Sequence, residues 1–411
     1  MKAYLRTFGC RANQYDSEAV RAMIEAAGGE IVTTPDDADV AVFNSCAVTA
    51  AAEADLRQSV RRAARQAPAL RSVVMGCAAA RDDGTIAALP TVECVVPGGD
   101  VLGVAEALGL AAPALPPNVQ TGTRALLRIQ DGCDEHCTFC ATTLARGAAR
   151  SRDIDALVNE AERLADHHPE IVLTGIHIGH YGADTDTTLS ALVERLVREV
   201  PRVRFRLSSL EATEVDDRLR ELFAHPSRLA PHLHAPLQSG SDAVLKRMGR
   251  HWYRAASYAA AVERIAAGWA VFALGADVIA GFPGETDDDH RRTLTLVDSL
   301  PFTYLHVFPY SVRPGTAAER LDGHVPASTI ERRAAELRAV ADRHAVAHRA
   351  RRLGGECDLV VIGASARREG LTEDYLTVEV DPSIPRGTRC PARLDGDPSR
   401  LLGVPLQAII R

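Results

Sequence analysis

Apolar positions recur with two different periods along this chain, and their alternation predicts its elements. Residues 2–8 (KAYLRTF) and 38–44 (ADVAVFN) are short apolar runs that read as strands. Between them, SEAVRAMIEAAGG at 17–29 carries apolar residues at helical spacing and closes on two glycines that suit a helix C-terminus. TAAAEADLRQSVRRAARQA (49–67) reads as a second helix, SVVM (72–75) as a third strand and ECVVPG (93–98) as a fourth. Strand and helix taken in turn predict a parallel sheet covered by helices.

Residues 111–123 (AAPALPPNVQTGT) interrupt the pattern with prolines and small residues and mark a linker. From Arg124 the alternation restarts on a larger scale. Strands are expected at 125–130, 170–178, 204–210, 232–237, 271–281 and 303–311, with helices such as 155–167 and 258–268 between them. This pattern fits either a partly closed, TIM-like barrel or an open sheet. Residues 328–352 form an arginine-rich helical stretch, with seven arginines against three acids. From 353 onward, short β-type runs split by Gly, Pro and Asp predict a small β-barrel. The expected fold class is α/β, partitioned as 1–110, linker 111–123, 124–352 and 353–411.

Composition narrows the function. With 411 residues, 46% hydrophobic and 25% charged, the chain has the makeup of a globular protein. No run approaches the roughly 18 apolar residues of a membrane span. The start, MKAYLRTFGC, meets a charge before an apolar signal region forms, so a cytoplasmic protein with no membrane partner is expected. Lys2 and Lys246 are the only lysines and neither follows a glycine, which excludes a Walker-A phosphate loop. A net charge of -7 argues against bulk electrostatic coating of nucleic acid, so an RNA partner must be met by local patches.

Nine cysteines make an odd count for a disulfide framework. Cys133, Cys137 and Cys140 crowd into eight residues directly after the strand at 125–130, at the end where α/β barrels place their active sites. Three soft thiolates in one loop can hold three irons of a four-iron cubane and leave the fourth open, whereas zinc would require a further ligand. His136, adjoining Cys137, is badly placed to supply one. Cys10, Cys46 and Cys77 each follow an N-terminal strand, with Gly9 and Gly76 preceding two of them. In a parallel sheet those strand ends share an edge, so the three converge either as a metal site or as small buried thiols. Cys94, Cys357 and Cys390 read as structural.

The segments RTFGCRANQYDSE, NSCAVTAAAEADLRQ, MGCAAA, DGCDEHCTFC, ARGAARSR, LTGIHIGHYG, RLSSLEATE, PLQSGSDAVLKRMGR, DVIAGFPGETDDD and FPYSVRPGTAA occur in this order. Together they resemble the radical S-adenosylmethionine (SAM) methylthiotransferases, over residues 4 to about 318. The resemblance implies an N-terminal methylthiotransferase domain, a radical SAM partial (βα)6 barrel and a C-terminal TRAM-like β-barrel. It implies two [4Fe–4S] clusters, one on Cys133, Cys137 and Cys140 that binds SAM, and an auxiliary one on Cys10, Cys46 and Cys77 that delivers sulfur. It further implies an electron donor such as flavodoxin or ferredoxin, and tRNA as partner, met at its anticodon loop. The FGCRANQYDSE, NSCAVT and GLTEDYLTVEV segments look most like the branch that thiomethylates C2 of N6-threonylcarbamoyladenosine 37. Sister branches act on isopentenyladenosine 37 or on a ribosomal-protein aspartate. A non-catalytic iron–sulfur RNA-binding protein is the alternative from another class.

Further site residues are expected on the same grounds. Phe139 matches an aromatic that lies against the SAM adenine. Thr174 and Gly175, Ser209 and Glu211, and Gln238 and Ser239 end or follow barrel strands, where small or polar groups suit SAM. Gly281, Pro283 and Gly284 form a tight turn that the family uses near SAM. After Cys140 the family commonly carries an Ile-Pro-type segment, whereas this chain has ATTL. The tail from 353 carries seven arginines against nine acids, a poor balance for gripping RNA. Phosphate contact is therefore expected from Arg146, Arg150 and Arg152, and from the arginine-rich helix through Arg332 and Arg333.

Overall fold

The computed structural model describes residues 1–47, 50–111, 119–363 and 368–406, so most of the expected linker lies outside the described residues. The N-terminal sheet has five parallel strands, ordered Glu30–Val32, Lys2–Thr7, Val40–Ser45, Arg71–Gly76, Val92–Pro97. Its central strand is buried at every position, as a strand covered on both faces must be. Val40 and Val42 pack with Val20 and Ile24 of helix Arg11–Ala26 and with Val104 of Val101–Leu108. Ala41 and Phe43, facing the other way, pack with Leu56 and Val60 of Ala50–Gln66.

Six parallel strands follow in two triplets: Ala125–Arg128, Glu170–Thr174 and Arg204–Leu207, then His232–His234, Ala273–Ala280 and Tyr304–Pro309. Isolated parallel bridges from Phe205 to Leu229 and from Ser209 to His234 join the triplets. The result is a partial barrel around one large core that includes Leu127, Leu173, Phe205, Leu233 and Val278. Helix Ala327–Arg352 packs along it through Ala334, Leu337 and Val340. The tail forms a closed five-stranded barrel over Glu356–Pro405.

Three differences from the sequence reading have local causes. The strand Glu30–Val32 is too short to show a period. Helix Val101–Leu108 is capped by Asp100, whose carboxylate accepts from the Gly103 amide, and carries only two turns of pattern. The first helix begins at Arg11, six residues before Ser17, because Asn13 and Asp16 are buried polar residues on its inner face.

The C-terminal barrel is fastened to the larger one by buried charge. Arg204 and Arg206 both bind Glu170, and all three side chains are fully buried. Burial opposes ionisation of Glu170, but the two guanidinium groups outweigh it and hold the carboxyl well below its usual range. Arg204 reaches Asp358 at 3.0 Å, and Arg206 donates to the carbonyls of Thr372 and Glu373, each at 3.0 Å. Tyr375, at φ +67°, stacks on His232 with centroids 4.4 Å apart and accepts from Arg11 Nη2 at 3.1 Å. All three units therefore meet at one phenol.

Candidate active site between two cysteine triplets

Cys10, Cys46 and Cys77 stand at the C-terminal ends of three adjacent strands. Asn13 gathers them. Its Oδ1 lies 3.8 Å from Cys10 Sγ and 3.9 Å from Cys77 Sγ, while its Nδ2 donates to the carbonyls of Phe8 and Ser45. Gly9, at φ +94°, lets Cys46 pack directly on its backbone: a Cβ there would stand 2.5 Å from Cys46 Sγ. Burial pushes the Cys77 thiol up to about 11, with Arg146 opposing. A metal that binds there must displace a proton.

The second triplet occupies the loop after Ala125–Arg128. The Cys133 amide donates to Gly147 O, the Thr138 amide to Met248 O and the Cys140 amide to Cys137 O, so the loop is held by backbone on two sides. Gly132 is obligatory, since a Cβ there would meet Ala148 O at 1.9 Å. Each sulfur has a polar neighbour. His177 Nδ1 lies 3.8 Å from Cys133, Arg250 Nη1 donates to Cys137 at 3.5 Å, and the Thr142 amide donates to Cys140 at 3.4 Å. That last bond comes from the short helix Thr142–Arg146, which the ATTL segment begins. Burial lifts the Cys137 thiol to about 12, with the Arg250 charge opposing. Burial lowers the pKa of His177, but Cys133 and Glu214, the latter 2.8 Å from Nε2, raise it to about 10.

A cavity of about 330 Å³ lies between the triplets, with Cys77 on one wall and Phe139 and Cys140 on the other. Gln238 and Asp277 also line it, as does Arg313, which sequence reasoning passed over. Arg313 Nη1 is buried without a hydrogen-bond partner. Its only sequence signal is its place in FPYSVRPGTAA, beyond the last barrel strand. Phe139 packs edge-on against Phe282 of the AGFPGE turn, 6.3 Å between centroids. Gln238 takes φ +62°, a strained setting for a residue with a side chain.

Other expected residues are placed less directly. Glu211 is buried and paired with Arg250, which links it to Cys137. Gln130 was not singled out, yet its Oε1 accepts from the amides of Ile176 and His177 and its Nε2 donates to Gly132 O. It thereby ties the cysteine loop to the turn after Thr174 and Gly175. Gly175 is needed there, because a Cβ would stand 2.8 Å from Gln130 O. Ser209 is exposed and Ser239 faces Thr293 at 3.3 Å, so neither joins the cavity wall.

Two of the five arginines expected to meet phosphate, Arg146 and Arg333, are instead buried. Arg146 is 5% exposed and donates to Asp16 at 2.8 Å and Asn13 at 2.7 Å. Arg333 is likewise buried, on Glu285 at 2.8 Å. Arg152 is bound to Glu160 at 2.6 Å, and Arg332 is exposed but paired with Glu336 and Asp287. Arg146 and Arg333 are thus buried on protein carboxylates and out of reach of phosphate, while Arg152 and Arg332 hold theirs at partly exposed positions. Arg150 is exposed as well, and its bonds are long ones of 3.5 Å to backbone carbonyls. Cys357 lies in the core of the C-terminal barrel, and none of the nine cysteines is joined in a disulfide.

The loop after the first strand of a six-stranded parallel partial barrel thus carries three thiols. Residues 127–297 match the Radical SAM superfamily, and residues 2–97 match the family described as Uncharacterized protein family UPF0004. A radical SAM methyltransferase, TsrM from Kitasatospora setae, superposes with a TM-score of 0.59 at 15% identity, over 77% of this chain and 75% of that one. The threonylcarbamoyladenosine tRNA methylthiotransferase MtaB of Thermotoga maritima is 35% identical over 86% of this chain and 84% of its own length. That of Rickettsia prowazekii is 34% identical over 95% and 94%. A tRNA-2-methylthio-N(6)-dimethylallyladenosine synthase from Novosphingobium aromaticivorans is 33% identical over 87% and 86%. The chain belongs to the radical SAM tRNA methylthiotransferases, transferases that use SAM and [4Fe–4S] clusters. No helix among the described residues is long and apolar enough to cross a membrane.

Proposed function

We propose that this chain inserts a methylthio group at C2 of N6-threonylcarbamoyladenosine 37 in tRNA. The observation that carries the reading is the single cavity bounded by Cys77 on one side and Cys140 on the other. The donor chemistry of both triplets, three thiols each and none in a disulfide, fits iron–sulfur clusters. In this reading Cys133, Cys137 and Cys140 hold the cluster that binds SAM, and Cys10, Cys46 and Cys77 hold the auxiliary one. When bound, these groups supply one-electron cleavage of SAM and a sulfur atom for transfer.

The chain's own residues position and exclude. Asn13 and Arg146 fix the auxiliary loop, and Gln130 and Thr138 fix the other. Phe139 and Phe282 present an apolar surface for an adenine, and the Glu211–Arg250 pair closes the wall behind Cys137 against water. A single-stranded anticodon loop can offer an extruded purine to such a cleft. The cytoplasm is the compartment proposed, with a small flavodoxin- or ferredoxin-type protein as electron donor. Nucleoside mass spectrometry of tRNA from a host lacking its own enzyme, with and without this gene, tests the reading. Methylthiolated threonylcarbamoyladenosine is expected. Gain on the dimethylallyl or isopentenyl nucleoside instead moves the chain to the sister branch, and no gain on either refutes a tRNA substrate.

A further inference from the structure

We propose that Arg313 is the anion-binding residue of the cavity between the triplets, pairing its guanidinium with an oxyanion of the nucleotide that enters. Two groups of the proposed substrate supply that chemistry, the carboxylate ending a threonylcarbamoyl group and the phosphodiester beside the base. The inference rests on the tRNA reading above and names a residue that holds the substrate. Arg313 follows the strand Tyr304–Pro309 and lines the cavity, yet its Nη1 is buried with no hydrogen-bond partner. The fully buried arginines among the described residues are all paired: Arg146 with Asp16, Arg204 and Arg206 with Glu170, Arg250 with Glu211, Arg333 with Glu285 and Arg352 with Asp374. A buried guanidinium nitrogen without an acceptor is costly, and a ligand oxyanion removes that cost.

Carboxylates around Arg313 have other partners. Asp277 lines the same cavity, but its Oδ1 lies 2.9 Å from His234 Nε2 and 3.3 Å from His306 Nδ1. Glu53 is the strongest charge favouring the cation, and it is bound to Arg57 at 3.3 Å. Burial outweighs Glu53 and pulls Arg313 below its usual pKa, but a guanidinium starts so high that it stays charged at neutral pH. Cys46 and Cys140, one from each triplet, also act on it, which places the arginine within range of both. Its loop is held in place: Pro314 O accepts from Arg81 of the N-terminal unit, Arg313 O accepts from the Thr316 hydroxyl at 2.8 Å, and the Gly315 amide donates to Glu319 at 2.7 Å. Phe139, Ile279, Phe308 and Pro309 line the same cavity, and such low-dielectric surroundings strengthen a charge-assisted bond. The guanidinium fork fits carboxylate or phosphate with two parallel N–H donors.

The test uses the reconstituted holoenzyme and two anticodon-loop RNAs that differ only in carrying threonylcarbamoyl or no substituent at N6 of A37. Fluorescence anisotropy gives each Kd across a salt series for wild type, Arg313→Gln and Arg313→Lys. Arg313→Gln should weaken binding roughly 10–100-fold, the range of a hydrogen bond to a charged group, and Arg313→Lys should recover part of it. Loss confined to the threonylcarbamoyl RNA, with the salt slope unchanged, identifies the carboxylate. Equal loss on both RNAs, with the slope lower by about one, identifies the phosphodiester. Because Nη1 has no protein partner, Arg313→Gln should melt with the wild type. Wild-type affinity of Arg313→Gln for both RNAs overturns the proposal, whether or not its melting temperature falls. So does weaker SAM binding with RNA affinities intact, which would assign the guanidinium to the carboxylate of SAM. A wild type that methylthiolates a dimethylallyl RNA and not the threonylcarbamoyl one overturns the substrate reading instead, and the salt slope on that RNA then decides the role of Arg313.

Discussion

Replacing Arg146 with methionine separates a structural arginine from an RNA-binding one. The guanidinium joins the short helix after Cys140 to the first N-terminal helix through Asp16, with side chains 1% and 0% exposed. It also donates to Asn13, the residue between Cys10 and Cys77. Removing one partner of a buried ion pair costs about 3–5 kcal/mol, because the other charge is left uncompensated. Asp16 keeps Arg128, so the lower end applies, about 3 kcal/mol. At about 2–4 °C per kcal/mol for a unit of this size, the first melting transition should fall by roughly 6–12 °C. Differential scanning calorimetry of the variant reads the shift. Salt titration of tRNA binding supplies the contrast, since a lost phosphate contact lowers the slope by about one. An unchanged melt together with a reduced slope would refute the buried role.

Three other outcomes follow from the same geometry. Gly9→Ala drives a Cβ into Cys46 Sγ and should cost the protein the iron of the auxiliary site while sparing that of the other, read by iron analysis and Mössbauer spectra. His177→Phe removes the polar neighbour of Cys133, and the midpoint potential of the cluster held there should become more negative; a potential equal to that of wild type would deny the contact any tuning role. Burial raises the pKa of Asp374, but His348 and Arg352 outweigh it and lower it to about 2 from 3.8. A depressed carboxylate contributes stability above its unfolded value and loses it as pH falls through the folded one. The seat of the C-terminal barrel on the long helix should therefore weaken between about pH 4 and pH 2, and Asp374→Asn should flatten that part of a denaturation-midpoint profile.

Much of this architecture is legible in the sequence where burial and periodicity agree. VAVFN is buried throughout and reads as a central strand, and the three cysteines that follow strands do share an edge. The arginine-rich stretch is one helix, and the tail is a barrel. Legibility ends where polar residues are inside. Asn13 and Asp16 look like surface positions, so the helical period shows only from Ser17 although the helix begins at Arg11. Arg146 and Arg333 look like free cations because their partners lie far off in sequence, at Asp16 and Glu285. Gln130 and Arg313 carry no periodic signal at all. Their roles come from loops that approach one another only once the barrel has formed.

The meeting of three units at Tyr375 makes the tail unlike a bead on a string. Its ring leans on His232 inside the large barrel, and its hydroxyl holds Arg11, the residue next to Cys10. Anything that tugs on the small barrel, an RNA included, is therefore transmitted to the root of the auxiliary loop without passing through solvent. Transplanting this tail onto another enzyme would leave behind a notch in the donor and carry away a plug with no socket.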